Sequence, residues 1–209
     1  MSKTALEKAR EAPGSTKARI LAAAEDVFAA RGFTGAGTRE IAAQADVNIS
    51  SLHYHWASKE ALYVAVLHDI FDRLVTLLRA TIARLREERE RSVIVSLVMH
   101  ELVEFMAANP TVPKLLVRRL LEGDVDLGID RDVLVPAWTA FTEQMGRTGR
   151  RMSDVDSRLF MLSAHSVLLL YMLDCPSYQS LLGGSVFRSP LRQQVERHLV
   201  RLVEALLAQ

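Results

Sequence analysis

The feature that most constrains the fold is a run of helix start and stop signals over residues 38–60, which read TREIAAQADVNISSLHYHWASKE. Thr38 can cap a short helix that ends near Ala45, because its hydroxyl can accept a hydrogen bond from a free backbone N–H group. Asn48 can cap a second short helix that ends near Trp56. Two short helices joined by such a tight turn predict a helix-turn-helix.

The second short helix has one face for the core and one face that stays free. Leu52 and Trp56 are four residues apart, so both can face the core. Most of the other side chains carry hydroxyl, imidazole or phenol groups, which suit base edges and phosphates in a DNA major groove. These outward residues are Ile49, Ser50, Ser51, His53, Tyr54 and His55. We therefore predict that this helix contacts DNA.

The residues before this motif predict a further helix and a loose N-terminal segment. A helix over 15–31 fits the apolar pattern, with Ser15 or Thr16 as its cap and Gly32 as its stop. Residues 1–14 mix both charges and end at a proline and a glycine. We expect a flexible arm there.

Four cations lie at predicted helix N-termini, where the helix dipole disfavours each of them by about 0.3–1 kcal/mol. They are Lys17, Arg19, Arg39 and Lys59, and the last follows Ser58, which can cap a long helix. This placement makes sense if these helix ends converge on DNA phosphates. The alternative is that the long side chains extend into water. The first 60 residues hold eight Lys or Arg and seven Asp or Glu, so the argument depends on placement, not on a basic surface.

The composition of the whole chain favours helix. Alanine, leucine, arginine and glutamate dominate, and only 10 glycines and 6 prolines occur among 209 residues. With no strand-like run, we expect an all-α fold. Further helices are predicted near 92–108, 111–122, 131–146, 153–173 and 190–208. Ser189 can cap the last of these, with Pro190 at its first position.

Cysteine content and hydropathy indicate the compartment. A single cysteine excludes a disulfide framework, and the first residues lack the apolar core of a secretory signal. The longest apolar stretch, Leu159–Leu173, contains polar residues and is too short to span a bilayer. We therefore expect a cytoplasmic protein with no membrane partner. The net charge of +1 says little about other partners.

Residues 15–62 resemble the N-terminal domain of TetR-family transcriptional regulators. The matching features are the ILAAAEDVFAARGF opening, the T-R-E-I-A-x-x-A second helix and the V-N-x-S-x-L-x-Y-H-W-x-S-K-E-A-L run. The rest of the chain fits this family by length, helix count and a long final helix. The resemblance implies a three-helix DNA-binding domain over 15–60 and a larger helical domain for ligand binding and dimerisation over 61–209.

The resemblance also implies roles for individual residues. Thr38 and Arg39 match second-helix positions that touch phosphate and sometimes a base, and Lys59 matches a common phosphate-contacting lysine. His53 stands where the family usually has tyrosine, which can alter a DNA contact, and Trp56 replaces the usual phenylalanine in the core. The full predicted DNA-contacting set is Thr38, Arg39, Asn48, Ile49, Ser50, Ser51, His53, Tyr54, His55 and Lys59.

The two longest late helices predict a homodimer. The helix over 153–173 has apolar residues on several faces, too many for a helix with one side in water, and the helix over 190–208 also has a broad apolar surface. Two such helices from each of two chains can form a four-helix interface. The alternative is that both close the core of a monomer. A two-fold dimer would suit a palindromic operator.

Polar and aromatic residues within apolar helices are candidates for a ligand pocket, although plain core packing accounts better for each one taken alone. They are His100, Phe105, Trp138, Phe141, His165, Tyr171 and Met172. The pairs His100–Glu104 and His68–Asp72 have a spacing that a metal could use. Such pairs are common on exposed helices, so we expect no metal and no cofactor.

These observations favour a dimeric DNA-binding transcriptional regulator, a repressor that a small, largely apolar ligand releases from a palindromic operator. One alternative is a DNA-binding structural factor, for nucleoid or division, that binds no ligand. An all-helical enzyme is a third class, but no nucleophile–base pair, metal set or glycine-rich phosphate loop supports it. Ligand-dependent operator release would separate the first class from the others.

Overall fold

A computed structural model describes residues 4–122, 139, 143 and 154–208. These residues form ten helices and no strand, which confirms the all-α fold. In chain order the helices are α1 (Ala5–Glu11), α2 (Thr16–Gly35), α3 (Thr38–Gln44), α4 (Ile49–His55), α5 (Lys59–Arg84), α6 (Arg91–Ala108), α7 (Thr111–Glu122), α8 (Asp154–Tyr171), α9 (Pro176–Leu182) and α10 (Leu191–Leu207). The helix predicted over 131–146 lies outside the described residues, apart from two of its positions.

The chain divides into two compact units. The first unit runs to Asp72, within α5, and also includes the part of α7 from Lys114 onward. The second unit contains Arg73–Pro113, which includes α6, together with α8, α9 and α10. The functional boundary after residue 60 stays a prediction, because the compact units divide inside the long helix α5 instead.

In the first unit, α2 packs against α1, α3 and α4. Ser15 caps α2, because its Oγ accepts a hydrogen bond from the Ala18 N–H at 3.3 Å. Ile20 and Phe28 are fully buried, as the apolar pattern predicts. Regular helix stops at Gly32, whose φ of 72° lies in the left-handed region, and a short helical continuation follows to Gly35.

The segment predicted as a loose arm contains a helix, α1. Thr4 and Glu7 form a capping box, in which the Thr4 N–H donates to the Glu7 carboxylate at 2.6 Å and the Glu7 N–H donates to the Thr4 hydroxyl at 3.2 Å. Arg10 then pairs with Asp69 at 2.8 Å and Asp72 at 2.9 Å. The T-x-x-E pattern of this box was a readable signal that sequence analysis missed.

In the second unit, α10 packs against α6 and α8. Its buried residues recur every four positions and are Val195, Leu199, Val203 and Leu207. The helix begins at Leu191, and Pro190 occupies the cap position without a side-chain hydrogen bond, so the prediction of Ser189 as the cap was wrong by one residue. Within the part of the chain that the structure describes, no single helix is long and apolar enough to cross a membrane, although two bent helix pairs reach that length and composition together.

Candidate nucleic-acid interface and apolar cavity

Helices α3 and α4 form the predicted helix-turn-helix. Asp46 adopts a left-handed conformation with φ 53°, and the Val47 N–H donates to the Ala42 carbonyl at 3.0 Å, which closes the turn. Asn48 caps α4, because its Oδ1 accepts a hydrogen bond from the Ser51 N–H at 2.7 Å. The cap of α3 is Gly37, which has no side-chain bond, so Thr38 is the first helical residue and not the cap.

The two faces of α4 are as predicted. Leu52 is fully buried and Trp56, which follows the helix, is 3% exposed. The Trp56 indole N–H has no hydrogen-bond partner among the described residues. On the outward face, Ser50, His53 and Tyr54 are exposed, and Ile49, Ser51 and His55 are half-buried. Tyr54 is 84% exposed, which leaves its phenol free to reach another molecule.

The four predicted cations differ in their surroundings. Arg39 is exposed, and its side chain makes no hydrogen bond or ion pair with any other described residue. Arg19 lies 3.8 Å from Asp46 in the turn between α3 and α4. Lys17 is half-buried in the first turn of α2. Of the two guanidinium groups, that of Arg19 faces a carboxylate and that of Arg39 faces none among the described residues.

Lys59, the fourth cation, binds the end of a neighbouring helix. Its Nζ donates to the carbonyls of Phe33 at 2.9 Å and Ala36 at 3.1 Å, and lies 4.6 Å from the centre of the Phe33 ring. A cation at these C-terminal carbonyls is stabilised by the dipole of α2. Next to it, the pKa of Glu60 is lowered because its carboxylate accepts hydrogen bonds from its own backbone N–H and from the Ser58 side chain.

Arg118, on the part of α7 that belongs to the first unit, binds the same helix. Its Nε donates to the Ala29 carbonyl at 2.9 Å and its Nη2 to the Ala30 carbonyl at 2.8 Å. Backbone carbonyls near a helix end or break need donors from elsewhere, and Gly32 breaks α2 just beyond these residues. Two cations from distant parts of the chain therefore stabilise the end of α2 that leads into the helix-turn-helix. Sequence analysis missed Arg118, because nothing near it in sequence marks the contact.

The second unit contains an apolar cavity of about 90 Å³. Side chains of α5, α6, α8 and α10 line it, and His165 of α8 is the one titratable side chain among them. Three methionines, which are unbranched and adaptable, contribute to the wall. The lining residues are Leu74, Val75, Leu78, Val98, Met99, Leu102, Met106, Phe160, Met161, Ala164, His165, Leu168 and Val203.

Of the seven predicted pocket residues, the structure brings His165 to this cavity. His100 is exposed, and its Nδ1 lies 3.0 Å from a Glu196 carboxylate oxygen. Phe105, Tyr171 and Met172 do not line the cavity, and Met172 is fully buried in the core. Trp138 and Phe141 lie outside the described residues. Sequence analysis did not select Met99, Met106 or Met161, because spacing identifies an apolar residue but not the space beside it.

The first unit matches known proteins in sequence. Residues 20–66 match the family model of bacterial regulatory proteins, tetR family. Over residues 20–66 the chain therefore resembles the DNA-binding domain of TetR-family regulators. The chain is 42% identical over 73 residues to the transcriptional regulator RutR of Escherichia coli K12, and 39% identical over 75 residues to the transcriptional activator FasR of Mycolicibacterium smegmatis. These matches span 35% and 36% of this chain and 34% of each relative, about a third of their length.

Solved TetR-like structures share the fold over most of the chain. The regulator FadR from Bacillus subtilis, in complex with stearoyl-CoA, has a TM-score of 0.67 and 14% identity, over 88% of this chain and 96% of FadR. A transcriptional regulator from Rhodococcus sp. Rha1 has a TM-score of 0.67 and 20% identity, over 91% of this chain and 95% of that protein. At these identities the likeness shows the fold, a helix-turn-helix domain followed by a larger helical domain.

Proposed function

We propose that this TetR-family protein is a dimeric transcriptional repressor, which a small, largely apolar ligand releases from a palindromic DNA operator. The observation that carries the proposal is that one chain combines a DNA-binding domain whose recognition helix is exposed with an apolar cavity in its other unit. A ligand that binds the cavity in a DNA-incompetent conformation would lower operator affinity by population shift.

Helix α4 is proposed to enter the major groove with its exposed face. Ser50, His53 and Tyr54 offer donors and acceptors there, and the Asn48 cap fixes the start of the helix. Arg39 can reach the groove edge from α3, because no other described residue holds its guanidinium. Lys59 is proposed to act differently, by holding the end of α2 and adding positive charge close to the phosphates.

The cavity supports a ligand that is mostly apolar and has one polar group, for which His165 is the partner. Its volume of about 90 Å³ is smaller than the roughly 150 Å³ that accommodates benzene in an apolar protein cavity. Ligand entry must therefore displace part of the wall, and the three methionines can move most easily. The FadR neighbour was solved with stearoyl-CoA, whose fatty-acyl chain is apolar, so fatty acids, which carry one polar group, are the first compounds to test, with acyl-CoA thioesters beside them.

Dimerisation is proposed to depend mainly on α8. Leu159, Leu162 and Leu170 of this helix are 57%, 65% and 46% exposed, whereas Leu168 and Leu169 are buried. The expectation that α10 presents an equally broad apolar surface is met only in part, because its main apolar residues are buried within the second unit. An apolar face of this kind is typical of a subunit interface.

The test begins with selection of bound sequences from random DNA by the full chain, followed by a screen for compounds that release the enriched site. Ala164→Leu, which fills the cavity, should leave DNA binding intact and reduce release by the ligand. Ala80→Leu, the same substitution at an exposed position of α5, is the matched control and should respond to the ligand normally.

Enrichment of no sequence would contradict the DNA-binding part of the proposal. Equal release of Ala164→Leu and the unaltered protein would contradict the role of the cavity. Operator binding that no apolar compound alters would favour the DNA-binding structural factor instead.

A further inference from the structure

Three metal-binding groups meet where α6 packs against α10. His100 and Glu104 lie one turn apart on α6, and Glu196 lies on α10. The His100 Nδ1 and a Glu196 carboxylate oxygen are 3.0 Å apart. One ligand atom from each of the three residues lies within 4.8 Å of the others, and all three side chains are at least partly exposed.

We propose that His100, Glu104 and Glu196 bind a divalent transition-metal ion of the Zn²⁺ type. Imidazole nitrogen and carboxylate oxygen are both ordinary zinc ligands, whereas Mg²⁺ and Ca²⁺ prefer sites made of oxygen alone. Three protein ligands leave a fourth position for water, which the exposure of this cluster permits. Zinc–ligand bonds of about 2.0–2.2 Å suit the 3.0 Å separation between the His100 and Glu196 atoms with little change. The Glu104 carboxylate must move closer to both, which a partly exposed side chain can do.

Of the three proposed ligands, sequence spacing connects only His100 and Glu104. For such a pair by itself we expect no metal. The third ligand, Glu196, is 96 residues away from His100 and reaches it only because α10 packs on α6. The other pair with this spacing, His68–Asp72 on α5, gains no such third ligand among the described residues. Arg10 pairs with Asp72 there at 2.9 Å. This second pair is therefore a matched control.

The positive charge of Arg192 disfavours metal binding at this cluster. Arg192 lies one turn before Glu196 on α10, and its Nε is 3.0 Å from a Glu104 carboxylate oxygen. Without metal, His100–Glu196 and Arg192–Glu104 are two polar pairs that connect α10 to α6. A carboxylate has two oxygens, so Glu104 can bind the metal with one and keep Arg192 on the other. Because a neighbouring cation disfavours a bound cation, removal of Arg192 should strengthen metal binding.

The experiment is a calorimetric titration of the 209-residue chain with ZnCl₂ at neutral pH and physiological ionic strength, with MgCl₂ in parallel. We expect one Zn²⁺ per chain and much weaker binding of Mg²⁺. His100→Gln and Glu196→Gln should each weaken Zn²⁺ binding at least about tenfold, the loss typical of a disturbed metal site. His68→Gln should bind as the unaltered protein does, and Arg192→Gln should bind at least as tightly.

Thermal unfolding gives a second measurement, which also shows that each variant folds. Zn²⁺ should raise the Tm of the unaltered protein and of His68→Gln, but not that of Glu196→Gln, since only a bound ion stabilises the folded state. The proposal is overturned if Zn²⁺ does not saturate a site, if Glu196→Gln keeps full affinity, or if His68→Gln loses as much as His100→Gln. It is independent of DNA binding, so neither result bears on the proposed regulation.

Discussion

The two units position their functional groups by different forces. In the first unit, polar contacts fix the backbone at the start of α4 and at the end of α2. The Asn48 side chain caps α4, and Lys59 and Arg118 bind four carbonyls at the end of α2. In the second unit, apolar side chains and His165 line the cavity, and the residues of the polar pairs His100–Glu196 and Arg192–Glu104 are not part of its wall.

This difference follows from what each unit is proposed to do. A surface that reads base edges needs fixed side-chain positions, because a hydrogen bond tolerates little displacement. A small cavity that must open for a ligand needs a wall that can rearrange, and methionine side chains allow this. Loss of a single polar contact should therefore lower the free energy of unfolding more in the first unit than in the second.

The largest effect is expected at the surface of the second unit. Leu162→Glu places a charge on the exposed face of α8 and should convert a dimer of twice 23.3 kDa into a monomer. Operator affinity should fall about 100-fold or more, because two linked half-site contacts become separate binding events. Light scattering and binding titrations measure both. Val93→Glu, at an exposed position of α6, should change neither, and a dimer that survives Leu162→Glu would exclude this face.

Arg118→Ala tests the polar contacts of the first unit. Loss of the two carbonyl bonds should lower the free energy of unfolding by about 2–3 kcal/mol, since hydrogen bonds to charged groups are the stronger ones. Urea unfolding followed by Trp56 fluorescence, in a Trp138→Phe background, reports on this unit. Lys114→Ala, exposed on the same helix, should have almost no effect. Equal free energies of unfolding for the two variants would mean that the Arg118 hydrogen bonds do not stabilise this unit.

Arg39→Ala should reduce affinity for the preferred operator by about 1–3 kcal/mol and relax the preference at one base pair of each half-site. Arg39→Lys keeps the charge but not the planar guanidinium, so it should lose the same preference while retaining most non-specific binding. Titrations on specific and scrambled DNA measure both. The control is Arg79→Ala on an exposed part of α5. If Arg39→Lys keeps full base preference, Arg39 contacts only the backbone.

Lys59→Ala should weaken binding to every DNA sequence about equally and reduce the salt dependence by about one unit per half-site. The structure adds a second effect: loss of the bonds to Phe33 and Ala36 should lower the free energy of unfolding by about 1–2 kcal/mol. Binding across a salt series and urea unfolding separate the two. A loss of affinity confined to one base pair would contradict this division between Lys59 and Arg39.

The smallest effect is expected for Trp56→Phe. This change removes a buried N–H donor that has no partner among the described residues, but it also removes some apolar volume. These opposing effects should leave the free energy of unfolding within about 1 kcal/mol of the original value. Thermal unfolding is the measurement, with Leu52→Ala as the contrast, since truncation of that fully buried side chain should cost about 2–5 kcal/mol. A comparable loss for Trp56→Phe would indicate a hydrogen bond that the structure does not contain.

Local signals made the first unit predictable. Ser15, Asn48 and Ser58 each accept a hydrogen bond from an N–H group three residues ahead, as expected from sequence. The burial of Leu52 and Trp56 followed from their spacing. The errors were also local: Gly37, not Thr38, holds the cap position of α3, and the capping box of α1 went unnoticed.

The sequence by itself determined an all-helical chain, a helix-turn-helix and the exposed face of its second helix, because caps, turns and apolar periods act over a few residues. Only the tertiary structure decided that Lys59 and Arg118 bind the end of α2, that His165 lines a cavity with three methionines, and that Glu196 faces His100. The two members of each of these hydrogen-bonded pairs are separated by 23 to 96 residues along the sequence. Helix packing brings these residues together. The spacing of residues within one helix does not predict which face of another helix it packs against.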